Sequence, residues 1–191
     1  MRPPVLFCFD YLDPLSLLLE KELSALSGQP GLQDVHRVPL EMCAPPAELL
    51  DPDGPTWSER WRRAAAAAKD LGIALERPSF LPWTRKAHEL TLHAAEQGLA
   101  DAGRAALFRA ALIDGLDIGR VDVLVEIARG LGMDAQEAKA VLDVDRYAEA
   151  VATLGREARE AGATEPATLL GAGRSLQGFH NRDALRTFLL R

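Results

Sequence analysis

The sequence predicts an α/β fold in which a central four-stranded mixed sheet is interrupted by an all-helical insertion. Three observations carry this. Val5 to Phe9 is a short, almost wholly apolar run, as expected of a strand buried on both faces. A second strand signal follows at Val35 to Met42, and strand signals return only near the end, at Ala167 to Leu170 and Ser175 to Gly178. Nearly all of residues 56–161 reads as helix. Front and back strands need each other, because a two-stranded unit is marginal alone. Residues 1–55 and 162–191 are therefore expected to form the sheet-bearing domain and 56–161 a helical lobe, in one folding unit.

The elements follow in order. After the first strand, Asp13-Pro14 is a helix start: the carboxylate can accept orphan backbone N–H groups, and proline is pre-set for the first helical position. Leu15, Leu18, Leu19, Leu23 and Leu26 then recur at helical spacing. Gly28 to Gly31 breaks this helix before the second strand, completing a β-α-β unit that is parallel and right-handed by default. The Pro- and Asp-rich stretch Ala44 to Pro55 reads as a linker. Helices are expected over Trp57 to Asp70, ended by Gly72; over Arg85 to Gln97; from Asp101 through Leu112, closed by Gly115; around Val121 to Ala128, stopped at Gly130–Gly132; after Asp134; and from Asp145 to Ala161, terminated at Gly162. Gly171 and Gly173 mark the turn between the last two strands, and Asn181 to Leu190 forms the final helix.

Bulk properties bound the function. The 191 residues carry a formal charge of −6, which argues against a nucleic-acid or anionic-membrane surface as partner. No leader-like apolar region follows the start Met and no apolar stretch approaches the length of a membrane span, so the expectation is a soluble, cytoplasmic protein. Cys8 and Cys43 are far apart and read as buried, reduced thiols. His88 and His93 are five residues apart, which misses the helical face needed for paired metal ligands, so no metal site is expected. Arg60, Arg62 and Arg63 read as a solvated helix face.

Three motifs then stand out: Phe7-Cys8-Phe9-Asp10-Tyr11-Leu12-Asp13-Pro14-Leu15-Ser16-Leu17 at the front; Leu81-Pro82-Trp83-Thr84, Ala87-His88, Leu107-Phe108-Arg109-Ala110 and Gly115-Leu116-Asp117-Ile118 in the middle; Ala161-Gly162-Ala163-Thr164-Glu165-Pro166-Ala167-Thr168-Leu169 at the end. In order and spacing they resemble the DsbA-like thioredoxin superfamily, nearest its FrnE-type, 2-hydroxychromene-2-carboxylate isomerase and kappa-class glutathione transferase branches. The resemblance covers nearly the whole chain. It implies a thioredoxin-like fold with a helical insertion and a cis-proline at Pro166 beside the first helix. Pro14, Pro166 and Ala167 would frame the substrate position, with Trp83 and His88 as candidate pocket residues.

The chemistry does not transfer with the fold. Where the redox branches have C-x-x-C, this chain has Asp13-Pro14-Leu15-Ser16, and neither Asp13 nor Ser16 can form a mixed disulfide. Where the isomerase and transferase branches place a serine to engage the glutathione sulfur, this chain has Asp13, which would repel a thiolate when ionised. Glu165 precedes the expected cis-proline. If Asp13 and Glu165 share a pocket, two carboxylates in proximity would push one pKa upward and could work as an acid and base pair with Ser16. The plain reading of Asp13 and Ser16 is a helix cap. The expected function is a DsbA-family, oxidoreductase-like protein without the dithiol, binding a peptide or a small thiol compound beside Pro166 without disulfide exchange. The alternatives are a glutathione-dependent or related small-molecule isomerase or transferase, and a non-catalytic interaction protein. No cofactor is fixed by the residues; glutathione and homodimerisation are what the resemblance would supply.

Overall fold

The computed structural model describes residues 4–190. The start Met and the outer bounds of the expected terminal segments, residues 1 and 191, lie outside them. Strand β1 (Val5–Phe9) leads into helix α1 (Pro14–Leu26), then β2 (Val35–Pro39). Six helices follow: α2 (Pro55–Asp70), α3 (Arg85–Glu96), α4 (Ala100–Leu112), α5 (Val121–Gly130), α6 (Ala135–Asp143) and α7 (Ala148–Glu160). β3 (Thr168–Gly171), β4 (Arg174–Gln177) and α8 (Arg182–Leu189) close the chain. The sheet order is β2-β1-β3-β4, with β1 and β2 parallel and the other neighbours antiparallel.

The alternation of side chains along β1 places the two cores. Phe7 and Phe9 point to one face and join Tyr11, Leu18, Leu90, Leu107 and Phe108 in a large cluster that runs from the sheet through α1 into the helical lobe. The Phe9 and Phe108 ring centroids are 5.7 Å apart, and those of Tyr11 and Phe108 are 5.0 Å apart. Cys8 points to the opposite face and packs with Val38, Leu40, Ala158 and Ala163 beneath α7. A wholly apolar β1 is explained: both faces are covered. Burial pushes the Cys8 thiol up to about 12, so it stays protonated and unreactive at neutral pH. Cys43, expected to be buried, is only half-buried; it sits just before the linker, and its thiol donates to the Glu48 carbonyl at 2.8 Å.

Several boundaries differ from expectation, most by a single residue. β2 stops at Pro39, where β1 itself ends: Phe9 is the last paired residue and its carbonyl accepts from Leu40 N at 2.8 Å. Leu99, not Asp101, is the N-cap of α4 and supplies no side-chain cap; Asp101 lies in the first turn. Asp145 takes a positive φ of 53° instead of starting α7, which begins three residues later. Its carboxylate instead pairs with Lys86, whose ammonium also reaches the Leu142 carbonyl. Asp134 and Asn181 cap α6 and α8 as their positions suggest. Among the described residues no helix is long and apolar enough to cross a membrane.

Candidate functional site

The site forms where α1 begins beside the entry to β3. Asp13 is fully buried and is the N-cap of α1: its carboxylate accepts from Leu15 N at 3.2 Å, Ser16 N at 2.9 Å and the Ser16 hydroxyl at 2.5 Å. Pro14 is the first helical residue. Ser16 is also fully buried, and its oxygen accepts from Asp10 N at 3.5 Å. Both polar functions of Ser16 thus face the chain itself.

The residue that organises the site is Arg60, 8% exposed on α2. Its Nε donates to Asp13 Oδ1 at 2.5 Å, its Nη1 to Glu165 Oε2 at 2.8 Å and its Nη2 to the Pro166 carbonyl at 2.7 Å. Burial works against this charge, but the Asp13 and Glu165 carboxylates outweigh it and hold the Arg60 pKa above the ordinary guanidinium value. The reading of Arg60 as part of a solvated face is therefore overturned for this residue. A signal for it was present: Trp57, Arg60, Ala64 and Ala68, spaced three and four apart, form the buried stripe of α2.

Asp13 and Glu165 thus approach the same place as expected, with a cation between them. Glu165 is 47% exposed in its side chain while Asp13 is fully enclosed. The expected cis bond at Pro166 is corrected: among the described residues the cis peptide bond is Pro45–Pro46. The chain turns into β3 through Ala167, which is buried at a φ of 57°. The Arg60 guanidinium, held on the Pro166 carbonyl, fixes the approach to that turn.

Outside this cluster lies an open cleft of about 390 Å³. Met42, Leu50, Pro55 and Trp57 form its apolar walls, and Arg60, Arg159 and Glu165 bring charge to it. The Trp57 indole N–H is buried and has no partner among the described residues. A space of this size with apolar walls and a few fixed polar groups suits a small ligand.

The structure does not bring Trp83 and His88 to this cleft. Trp83 is 40% exposed, donates from Nε1 to the Ala47 carbonyl at 3.1 Å and lines a separate surface pocket with Phe80 and Pro82. His88 is fully buried behind the sheet end, where its Nε2 donates to Asp10 Oδ1 at 3.3 Å and its ring lies 4.7 Å from that of Tyr11. Asp10 in turn accepts from Met42 N at 2.6 Å, tying the segment after β2 to the end of β1. Among the described residues there is no group of three or more His, Cys, Asp or Glu side chains able to hold a metal ion.

No curated protein matches the chain in sequence. Among solved structures it is similar to a probable DsbA oxidoreductase from Streptomyces coelicolor, at 24% identity, with 97% of this chain and 88% of that one covered and a TM-score of 0.77. It is similar to a 2-hydroxychromene-2-carboxylate isomerase at 19% identity, covering 97% and 92% with a TM-score of 0.76. A third is the cytosolic disulfide reductase DsbM from Pseudomonas aeruginosa with glutathione, at 22% identity, 98% and 97% coverage and a TM-score of 0.69. At these identities the similarities establish the thioredoxin-like fold. The family profile matches residues 5–189, from the first strand to the last helix, and the chain belongs to the family of the DSBA-like thioredoxin domain.

Proposed function

We propose that this protein binds a small molecule in the cleft beside Pro166 and performs no thiol-disulfide exchange. The observation that carries the reading is the Arg60 bridge. It joins Asp13, Glu165 and the Pro166 carbonyl where a redox member needs a reactive thiol, and Cys8 is buried within the sheet, pointing away toward α7. Asp13 is enclosed and paired with Arg60, so an incoming thiol compound such as glutathione would meet the Arg60–Glu165 pair, in a cluster with one net negative charge, rather than a bare Asp13 carboxylate.

A small ligand is favoured over a peptide. A peptide strand laid along residues 165–167 needs free backbone groups. The Glu165 carbonyl accepts from the Thr168 hydroxyl at 2.8 Å, the Pro166 carbonyl from Arg60, and the Ala167 carbonyl from Gly178 N at 2.8 Å. Each carbonyl already has its donor, and Pro166 has no N–H to offer.

The test is a melting-temperature panel of glutathione, S-methylglutathione and small aromatic carboxylates, beside an extended peptide. A bound small ligand at about a hundred times its Kd raises stability by about 2.7 kcal/mol, which is roughly 5–10 °C for a chain of this size. A shift from the peptide with none from the small compounds would reverse the ligand assignment. Acceleration of insulin reduction by dithiothreitol, abolished in Cys8→Ser, would refute the absence of exchange. A catalytic version, an isomerase or transferase, is supported by Glu165, a half-exposed carboxylate oriented by Arg60. In that case Glu165→Gln abolishes turnover and keeps the ligand-induced shift.

A further inference from the structure

The cavity on the other side of the His88–Asp10 contact has a different character. It has a volume of about 370 Å³ and lies between β2 and helices α3 and α4. Two guanidiniums enter it, Arg37 from β2 and Arg104 from α4, both anchored on Glu20 of α1: Arg37 Nε donates to Oε2 at 3.1 Å and Arg104 Nε to Oε1 at 3.2 Å. Arg37 Nη1 is taken by the Val35 carbonyl and Arg104 Nη2 by Asp101. Arg37 Nη2 and Arg104 Nη1 have no partner among the described residues, although the side chains are only 16% and 7% exposed. Positioned donors with no acceptor are the raw material of an anion site.

Two further observations point to the same ligand. Ala100 and Asp101, the first residues of the 13-residue helix α4, line the cavity, and no side chain caps that helix. Its orphan N–H groups and the positive end of its dipole favour an anion. His88 also lines the cavity; it is fully buried, and its Nδ1 has no partner among the described residues. With the tautomer that donates Nε2–H to the Asp10 carboxylate, Nδ1 is an acceptor, so a ligand group that meets it has to donate a hydrogen bond.

We infer that this cavity binds a phosphate group carrying a hydroxyl, as inorganic phosphate or a small phosphate monoester, with its oxygens on Arg37, Arg104 and the α4 N-terminus and its P–OH donating to His88 Nδ1. The group opposing it is Asp101, an exposed carboxylate on the cavity rim that competes for Arg104.

The experiment titrates the full chain with inorganic phosphate, glycerol phosphate, sulfate and chloride at matched ionic strength, reading melting temperature and, for the two phosphates, ³¹P line width. Both phosphates should raise the melting temperature more than sulfate, which has no hydroxyl to offer His88, and far more than chloride. A greater effect of glycerol phosphate assigns the site to monoesters. Arg37→Gln, which leaves Arg104 on Glu20, should weaken phosphate binding by about tenfold or more, the worth of one charge-assisted hydrogen bond. Asp101→Asn lies at the surface, does not threaten the fold, and should tighten it. Equal shifts from phosphate and chloride, or Arg37→Gln and Asp101→Asn both binding phosphate as the parent chain does, would overturn the assignment. Because the cavity is separate from the cleft, glutathione and aromatic carboxylates do not report on it.

Discussion

The molecule holds two buried charge clusters whose valences are inverted. Beside the α1 N-terminus one guanidinium, Arg60, serves two carboxylates, Asp13 and Glu165. One face of α1 further on, a single carboxylate, Glu20, serves two guanidiniums, Arg37 and Arg104. All three nitrogens of Arg60 are spent on the chain's own oxygens, so that cluster is closed and works as a bolt between α1, α2 and the entry to β3. The Glu20 cluster leaves guanidinium nitrogens uncommitted toward a cavity. The difference teaches that a buried ion pair is read by what remains unsatisfied after the pair is made, not by the pair itself.

The comparison breaks most readily at Arg60. Arg60→Met leaves the Asp13 carboxylate fully enclosed without its cation and should cost about 3–5 kcal/mol, lowering the melting temperature by roughly 6–20 °C. Adding Asp13→Asn should restore a large part of that loss, because the uncompensated charge disappears while the amide oxygen can still accept from the α1 backbone. A loss under about 1 kcal/mol in the single variant would show that Arg60 is no bolt. Glu20→Gln comes next, at about 2–3 kcal/mol by urea unfolding, because Arg37 and Arg104 keep the Val35 carbonyl and Asp101 as secondary partners. A loss equal to that of Arg60→Met would erase the distinction between closed and open clusters. The smallest effect is expected for Glu165→Gln, below about 1 kcal/mol, because a half-exposed partner is screened by water. A larger cost would mean that the bolt depends on its outer carboxylate.

The elements that were legible along the chain are those whose signal is local. The apolar run of β1, the Asp13-Pro14 cap, the leucine stripe of α1 and the Gly171–Gly173 turn each state their own conformation, and each is where it was expected. Asp145 misled for a matching reason: an Asp before a periodic segment looks like a cap, but its carboxylate is taken by Lys86, 59 residues away in the chain. Trp83 and His88 belong to a motif beside one another, yet one faces solvent and the other lies under the sheet end, because α3 begins between them and turns His88 inward.

From the sequence alone came the α/β class, the interrupted sheet, the absence of cysteine at positions 13 and 16, and the convergence of the Asp13 and Glu165 segments. The first three rest on periodicity, capping chemistry and residue identity, which act over a few positions; the convergence came only from the family resemblance. The tertiary structure alone decided that Arg60 fills the space between those segments, that the Pro166 carbonyl is already occupied, and that Glu20 gathers two arginines at a cavity. Each of those contacts joins residues from 17 to 106 positions apart. A charge has the same letter in the sequence whether it faces water or a buried partner, and only packing decides which.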